Sequence, residues 1–248
     1  MRNLLTAETA KTTAGKFWLA LPMIGLALGA ITVLSLVSEA ETGITAGTTT
    51  AAAVTEDAVR YWMTMHLSAA MFGALFVTRE YASGVIGRSI LISGGNRRRL
   101  VAAKLVAATV MGTGYAVLAT AVAALAPWAI MPRYGIEPEW TTRTWQVLAG
   151  VFVVTVLSAP WGVLIGWITR SPVVSVGLLV VATMGIEPYL TRFAPDVGRF
   201  LPTIAMSSLY LDTRPYLLPV FGAVAVIAAW LLAAWLLADR LLHRRDVL

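Results

Sequence analysis

Six stretches of this sequence contain no Asp, Glu, Lys or Arg: 17–38, 61–78, 105–132, 144–169, 171–186 and 215–238. A helix needs about 20 predominantly apolar residues to cross the hydrocarbon core of a bilayer, and a water-soluble domain has little use for six such runs. Charged residues make up 13% of the 248 positions, against roughly 25% in an ordinary soluble domain. The expected fold class is an all-α membrane protein with six transmembrane helices. The intervening loops are too short for a soluble domain of about 50 residues or more. Residues 1–248 therefore read as a single transmembrane domain with no room for a motor domain.

The formal charge is +6, and the side on which each charge falls is more telling than the sum, because Lys and Arg accumulate on the cytoplasmic side. With the N-terminus placed inside, the cytoplasmic segments hold 13 of the 19 basic residues, among them Lys11, Arg79, Arg88, Arg97–Arg99, Lys104, Arg170, Arg240, Arg244 and Arg245. The outer segments hold nine of the 13 acids, including Glu39, Glu41, Glu56, Asp57, Glu137 and Glu139. Both ends are thus expected in the cytoplasm. Cysteine is absent, which excludes disulfides and thiolate chemistry. The uncharged run of 22 residues at 17–38 exceeds the 7–15 of a secretory signal, so it reads as a retained anchor.

Along the chain, residues 1–16 suit a short helix on the inner surface. The first span is expected at about Phe17–Val37, the Ala/Thr/Gly-rich 42–55 as an outer loop, and the second span at about Ala58–Thr78. The third covers about Leu100–Ile130 and the fourth about Thr144–Thr169, with only Arg170, Ser171 and Pro172 before the fifth, which runs on to Glu187 and Pro188. The proline-rich 188–215 reads as an outer loop with a re-entrant piece, and the last span as about Tyr216–Ala238. Trp18, Trp62, Trp140, Trp145 and Trp167 fall where interfacial anchors belong. Gly25/Gly29 and Gly162/Gly166 form small-xxx-small faces, which serve packing either within the bundle or between protomers.

The segment 79–99 places Val85, Ile86, Ile90 and Leu91 in a short apolar stripe at helical spacing, followed by Gly94-Gly95 and the basic Arg97-Arg98-Arg99. Such a piece can dock on another protein, or simply fix orientation and meet anionic lipid. Its acid, Glu80, is either a hinge ion pair, with an arginine as partner, or a solvated acid at a helix start. His66 is the one histidine within a span. It is either on a substrate path or a neutral imidazole bonded to a neighbouring helix. Met63, Met65 and Met71 on the same span make an adaptable wall or fill gaps. Glu187 is expected at the outer interface. No G-x-x-x-x-G-K-[ST], H-E-x-x-H or G-x-S-x-G occurs, so no catalytic residue, metal or nucleotide site is expected on this chain. Three arginines beside a span are topology determinants rather than a nucleic-acid site.

The order Arg79-Glu80, Gly84, aliphatic turn, small-residue break with Arg97, then Ala102-Ala103-Lys104-Leu105 resembles the coupling-helix region of ABC-2 type transporter permeases. Ala7-Glu8 with Lys11 resembles that family's N-terminal connecting helix, and Thr169-Arg170-Ser171 its turn between spans four and five. Phe200-Leu201-Pro202 stands where its outer re-entrant segment lies. Val85 replaces the family's Thr after glycine, and Gly94-Gly95-Asn96 its proline-containing break.

The resemblance implies the transmembrane subunit of a bacterial ABC exporter, similar to drug and lantibiotic-immunity permeases, in the cytoplasmic membrane. ATP and magnesium would bind two separate ABC ATPase subunits, and the other partners would be a second copy or a related permease and the lipid bilayer. Arg79, Glu80, Gly84, Arg88 and Arg97 would couple to the ATPase, while Met63, His66 and Met71 would line the path of a hydrophobic or amphipathic substrate. The other reading is a non-transporting scaffold or sensor that recruits a cytoplasmic partner through 79–99.

Overall fold

A computed structural model describes residues 2–244; Met1 and 245–248, with Arg245 of the basic tail, lie outside the described residues. Every regular element among them is helical. In chain order these are α1 (Arg2–Thr12), α2 (Phe17–Thr45), α3 (Ala51–Arg60), α4 (Met65–Ala82), α5 (Ile86–Ile92), α6 (Arg97–Ile130), α7 (Thr142–Thr169), α8 (Pro172–Val181), α9 (Glu187–Phe193), α10 (Pro195–Gly198), α11 (Pro202–Leu209) and α12 (Val220–Arg244). A 3₁₀ turn, Tyr61–Thr64, joins α3 to α4, and a π-helical turn, Ala182–Ile186, joins α8 to α9. Several of the starts follow side-chain chemistry. Thr50 accepts from Ala53 N, Asn96 from Arg99 N, and Thr141 forms a capping box with Thr144.

Among the described residues, five helical stretches are long and apolar enough to cross a membrane: Phe17–Thr45, Arg97–Tyr134, Thr142–Thr169, Pro172–Phe193 and Val220–Arg244. The expected second span departs from this pattern. The 3₁₀ turn interrupts it, and α4 has only 18 residues, about 27 Å of helix. It carries Arg79 and Glu80 in its last turn and buries 13 of its residues. A helix so enclosed meets protein on most sides, so polar residues such as His66, Ser68 and Thr78 fit on it without facing lipid. The expected outer loop at 42–55 is also corrected. α2 continues to Thr45 and α3 starts at Ala51, so that only 46–50 is non-helical.

α4 lies against α7 in the most extensive helix pair of the bundle, and α7 also packs on α6. Glycine makes this possible. A Cβ on Gly162 would overlap the carbonyl oxygen of Ala70 and lie 2.9 Å from its Cα, and one on Gly73 would overlap the carbonyl oxygen of Ala159. Gly25 faces Met65 and Ser68, Gly29 faces Trp62, and Gly166 faces Ala74. Both small-residue faces read from the sequence therefore serve packing within one chain.

The core has two parts. One gathers Leu4, Phe72, Leu100, Trp167 and Leu242, and the other Val37, Val59, Trp62, Met131 and Val151, with Leu26 and Leu231 touching both. Trp62 and Trp167 are 4% and 1% exposed, so these two are core residues rather than interfacial anchors. At the second part, Arg60 pairs with Glu56 and Asp57 and donates to the Leu211 carbonyl at 3.1 Å.

Candidate functional site

Four charged side chains from three helices meet where α1 crosses the end of α4 and the start of α6. α1 turns Leu4, Glu8 and Thr12, one helical turn apart, toward α6. Glu8 thereby reaches Lys104, two turns into α6, with Nζ to Oε2 at 2.8 Å. The same ammonium lies 2.8 Å from Glu80 Oε1 and 4.3 Å from the centre of the Phe76 ring. Lys11 Nζ closes the circuit at 2.6 Å from Glu8 Oε1 and 3.0 Å from Glu80 Oε1. Two carboxylates and two ammoniums balance to zero charge, which a site with Lys104 and Glu8 only 0% and 1% exposed requires.

The short helix α5 is fastened to this cluster through Ser89, which donates to Glu80 Oε2 at 2.9 Å and accepts from Lys11 at 3.1 Å. The chain turns sharply to allow it. Gly84 has φ +70°, and Val85 N bonds to the Glu80 carbonyl at 3.0 Å, the closure expected of a left-handed glycine after a helix. Two more left-handed residues, Gly94 and Gly95, release α5 into the Asn96 cap of α6. The Gly-Gly-Asn break thus supplies a stop and a start without proline. Ile86 is buried and Ile90 half-buried, whereas Val85, Leu91 and Ile92 are exposed, the last two at 77% and 61%. The apolar stripe is therefore split between an anchored face and an open one.

Burial works to raise the Glu80 carboxyl, but the charge and hydrogen bond of Lys104, and then of Lys11, overcome it and hold the group below its ordinary 4.5. Burial likewise pulls Lys11 down, and its hydrogen bond to Glu8 and the charge of Glu80 reverse this, leaving it above 10.5.

Around this cluster, Tyr81 stacks edge-on against Trp167 at 5.7 Å and carries Arg170 over its ring at 5.2 Å, tying the turn between α7 and α8 to the end of α4. Arg97 donates to the Leu242 carbonyl, and Arg98 pairs with Asp239 at 2.8 Å, tying α6 to α12. Arg88 is exposed. The sequence-based arginine partner for Glu80 is thus corrected to Lys104 and Lys11, and Ser89 is a member that no motif signalled.

A family model described as ABC-2 family transporter protein matches residues 4–185. The chain belongs to that family. The match spans α1 to the π-helical turn and so contains Glu8, Lys11, Glu80, Ser89 and Lys104. No curated protein and no solved structure matches the chain. ABC-2 proteins are membrane components of transporters, and they normally work with ABC ATPase partners.

In this ABC-2 chain, Met63, His66 and Met71 line one cavity of about 240 Å³, together with Thr183 and Met184 of the π-helical turn and Thr203, Ser207, Tyr210 and Arg214. His66 Nδ1 donates to the Met63 carbonyl at 2.7 Å, and its Nε2 has no hydrogen-bond partner among the described residues. Glu187 is 4% exposed rather than interfacial. Its carboxylate accepts from Thr203 N at 3.0 Å, Ile204 N at 3.1 Å and Thr203 Oγ1 at 3.1 Å, satisfying the first amides of α11, whose own cap residue, Leu201, supplies no side-chain acceptor. An acid on the fifth expected span thus holds the short buried helix that follows it.

Proposed function

We propose that this chain is the permease subunit of an ATP-driven exporter. It crosses the bacterial cytoplasmic membrane six times with both ends inside, α4 counting as the second crossing, and moves a hydrophobic or amphipathic substrate such as a drug or antimicrobial peptide. Two ABC ATPase chains, carrying ATP and magnesium, act on it from the cytoplasm. A second copy or a related permease completes the pathway. Met63, His66 and Met71 belong to that pathway, and a cavity lined mainly by methionine, hydroxyl and aliphatic groups, with the single formal charge of Arg214 among its lining, suits an amphipathic substrate.

The observation that carries this reading is the two-sided character of α5. Its outer face, Leu91 and Ile92, is apolar and open, while Ser89 on its inner side is bonded to the ion cluster. A force applied at Leu91 would pass through Ser89 and Glu80 to Lys104, and so to α4 and α6 together. Arg79, Gly84, Arg88 and Arg97 serve the same region: Gly84 as the turn, Arg88 as an exposed cation for docking, Arg97 as the tie to α12. Alternating access then amounts to tilting of packed helices when the ATPases close.

The chain co-reconstituted with its ATPase in vesicles should hydrolyse ATP faster when a transported amphiphile is added. Hydrolysis that ignores every compound tested, with the ATPase still bound, would favour the scaffold reading instead.

A further inference from the structure

We infer that the chain holds one anionic phospholipid of the inner leaflet in a pocket beside the ion cluster. The pocket, about 350 Å³, is walled by Phe17, Leu75, Phe76 and Val85 and carries Lys11 and Arg79. Because Glu8, Glu80, Lys11 and Lys104 already balance, Arg79 is surplus positive charge. Its guanidinium lies 4.5 Å from the centre of the Phe17 ring and pairs with no carboxylate among the described residues. With no carboxylate on it, the guanidinium offers its paired N–H groups to a bidentate acceptor, the geometry that phosphate presents.

Two further features suit a phosphodiester. Phe17 opens α2, whose N-terminus has no side-chain cap, so its positive end borders the same pocket. Glu80, whose charge is met by Lys104 and Lys11, and Ser83 also border the pocket; the other walls are apolar, which suits the glycerol and first acyl carbons of a lipid and does not suit a free, fully hydrated anion. A headgroup seated here would contact Lys11, which also holds Glu80 and Ser89. Lipid occupancy would therefore stiffen the link between α5 and α4. The site rests on its own geometry and stands whether or not the chain transports anything.

The test is native mass spectrometry of the full chain in detergent, titrated with dioctanoyl phosphatidylglycerol, dioctanoyl phosphatidylcholine or inorganic phosphate. One phosphatidylglycerol should bind per chain, about tenfold or more tighter than phosphatidylcholine, and Arg79→Gln should weaken it about tenfold or more. Ala14→Phe, which obstructs the exposed wall of the pocket without changing charge, should weaken it as well, while Arg99→Gln, on the exposed basic cluster, should not. Melting curves of each variant confirm that it is folded. Equal binding of the two lipids, binding that survives both pocket substitutions, or displacement of the lipid by millimolar phosphate would each overturn the assignment.

Discussion

Lys104→Met is expected to cost the folded chain about 3–5 kcal/mol, the usual penalty for removing one member of a buried ion pair. Methionine keeps most of the lysine's bulk, so what is lost is the charge that stands 2.8 Å from both Glu8 and Glu80. The buried carboxylate of Glu8 and the partly buried one of Glu80 would then share Lys11 alone. Neutralising one of them should relieve the strain: Lys104→Met with Glu8→Gln is expected to melt above Lys104→Met alone. A double-mutant cycle on thermal unfolding in detergent measures that coupling. If the single and double variants melt together, Lys104 and Glu8 are not partners in the folded chain.

The same cluster sets a pH dependence. Glu80 has a depressed value, so its contribution is complete above about pH 4.5 and disappears as pH falls through the lower, folded value. Lys11 has a raised value, so its contribution is complete below about pH 10.5 and disappears as pH climbs through the higher, folded value. Stability should form a plateau between these limits. In Lys104→Met, burial acts on Glu80 with less opposition, and the acid edge of the plateau should move toward neutral pH. An unmoved edge would mean that Lys104 is not what holds Glu80 ionised.

Gly162→Val is expected to be as damaging, by about 3 kcal/mol or more, at or beyond the top of the usual range for overpacking. The obstacle is the Ala70 backbone, whose carbonyl carbon would lie 2.7 Å from the new Cβ. No rotamer change relieves a backbone contact, so α4 and α7 must separate. Gly177→Ala is the internal comparison. Nothing lies within 4 Å of a Cβ there, and alanine favours helix by about 1 kcal/mol. The expected result is a large fall in melting temperature for the first and none for the second. A small effect at Gly162 would place that face away from α4.

How far the sequence disclosed all this varies by kind of feature. The uncharged runs located α2, α6, α7, the α8–α9 pair and α12, because crossing a bilayer is a matter of length and hydropathy. They could not say which way each helix turns about its axis. Trp62 and Trp167 sit at span ends by position, yet tertiary packing rotates both into the core. Ile86 and Leu91 belong to one stripe by spacing, but the Gly84 turn buries the first and exposes the second. Lys104 has a signal in the sequence, as the cation that heads an uncharged run of 28 residues, 105–132. A lysine there needs acids, and Glu8 and Glu80 come from 96 and 24 residues away, distances that no local pattern records. The burial of Glu187 is hidden for a similar reason, since its hydrogen-bond donors belong to a helix that starts beyond a segment rich in proline.

Whether α5 is where a cytoplasmic ATPase grips this chain can be measured with a single cysteine, because the sequence contains none of its own. Leu91→Cys, carrying a photoactivatable crosslinker and irradiated in membranes that contain both components, is predicted to form an adduct with a polypeptide bearing a nucleotide-binding P-loop. The yield should change when nucleotide is trapped. Crosslinking confined to lipid or to the chain itself, with the ATPase present and nucleotide bound, would mean that the ATPase docks elsewhere.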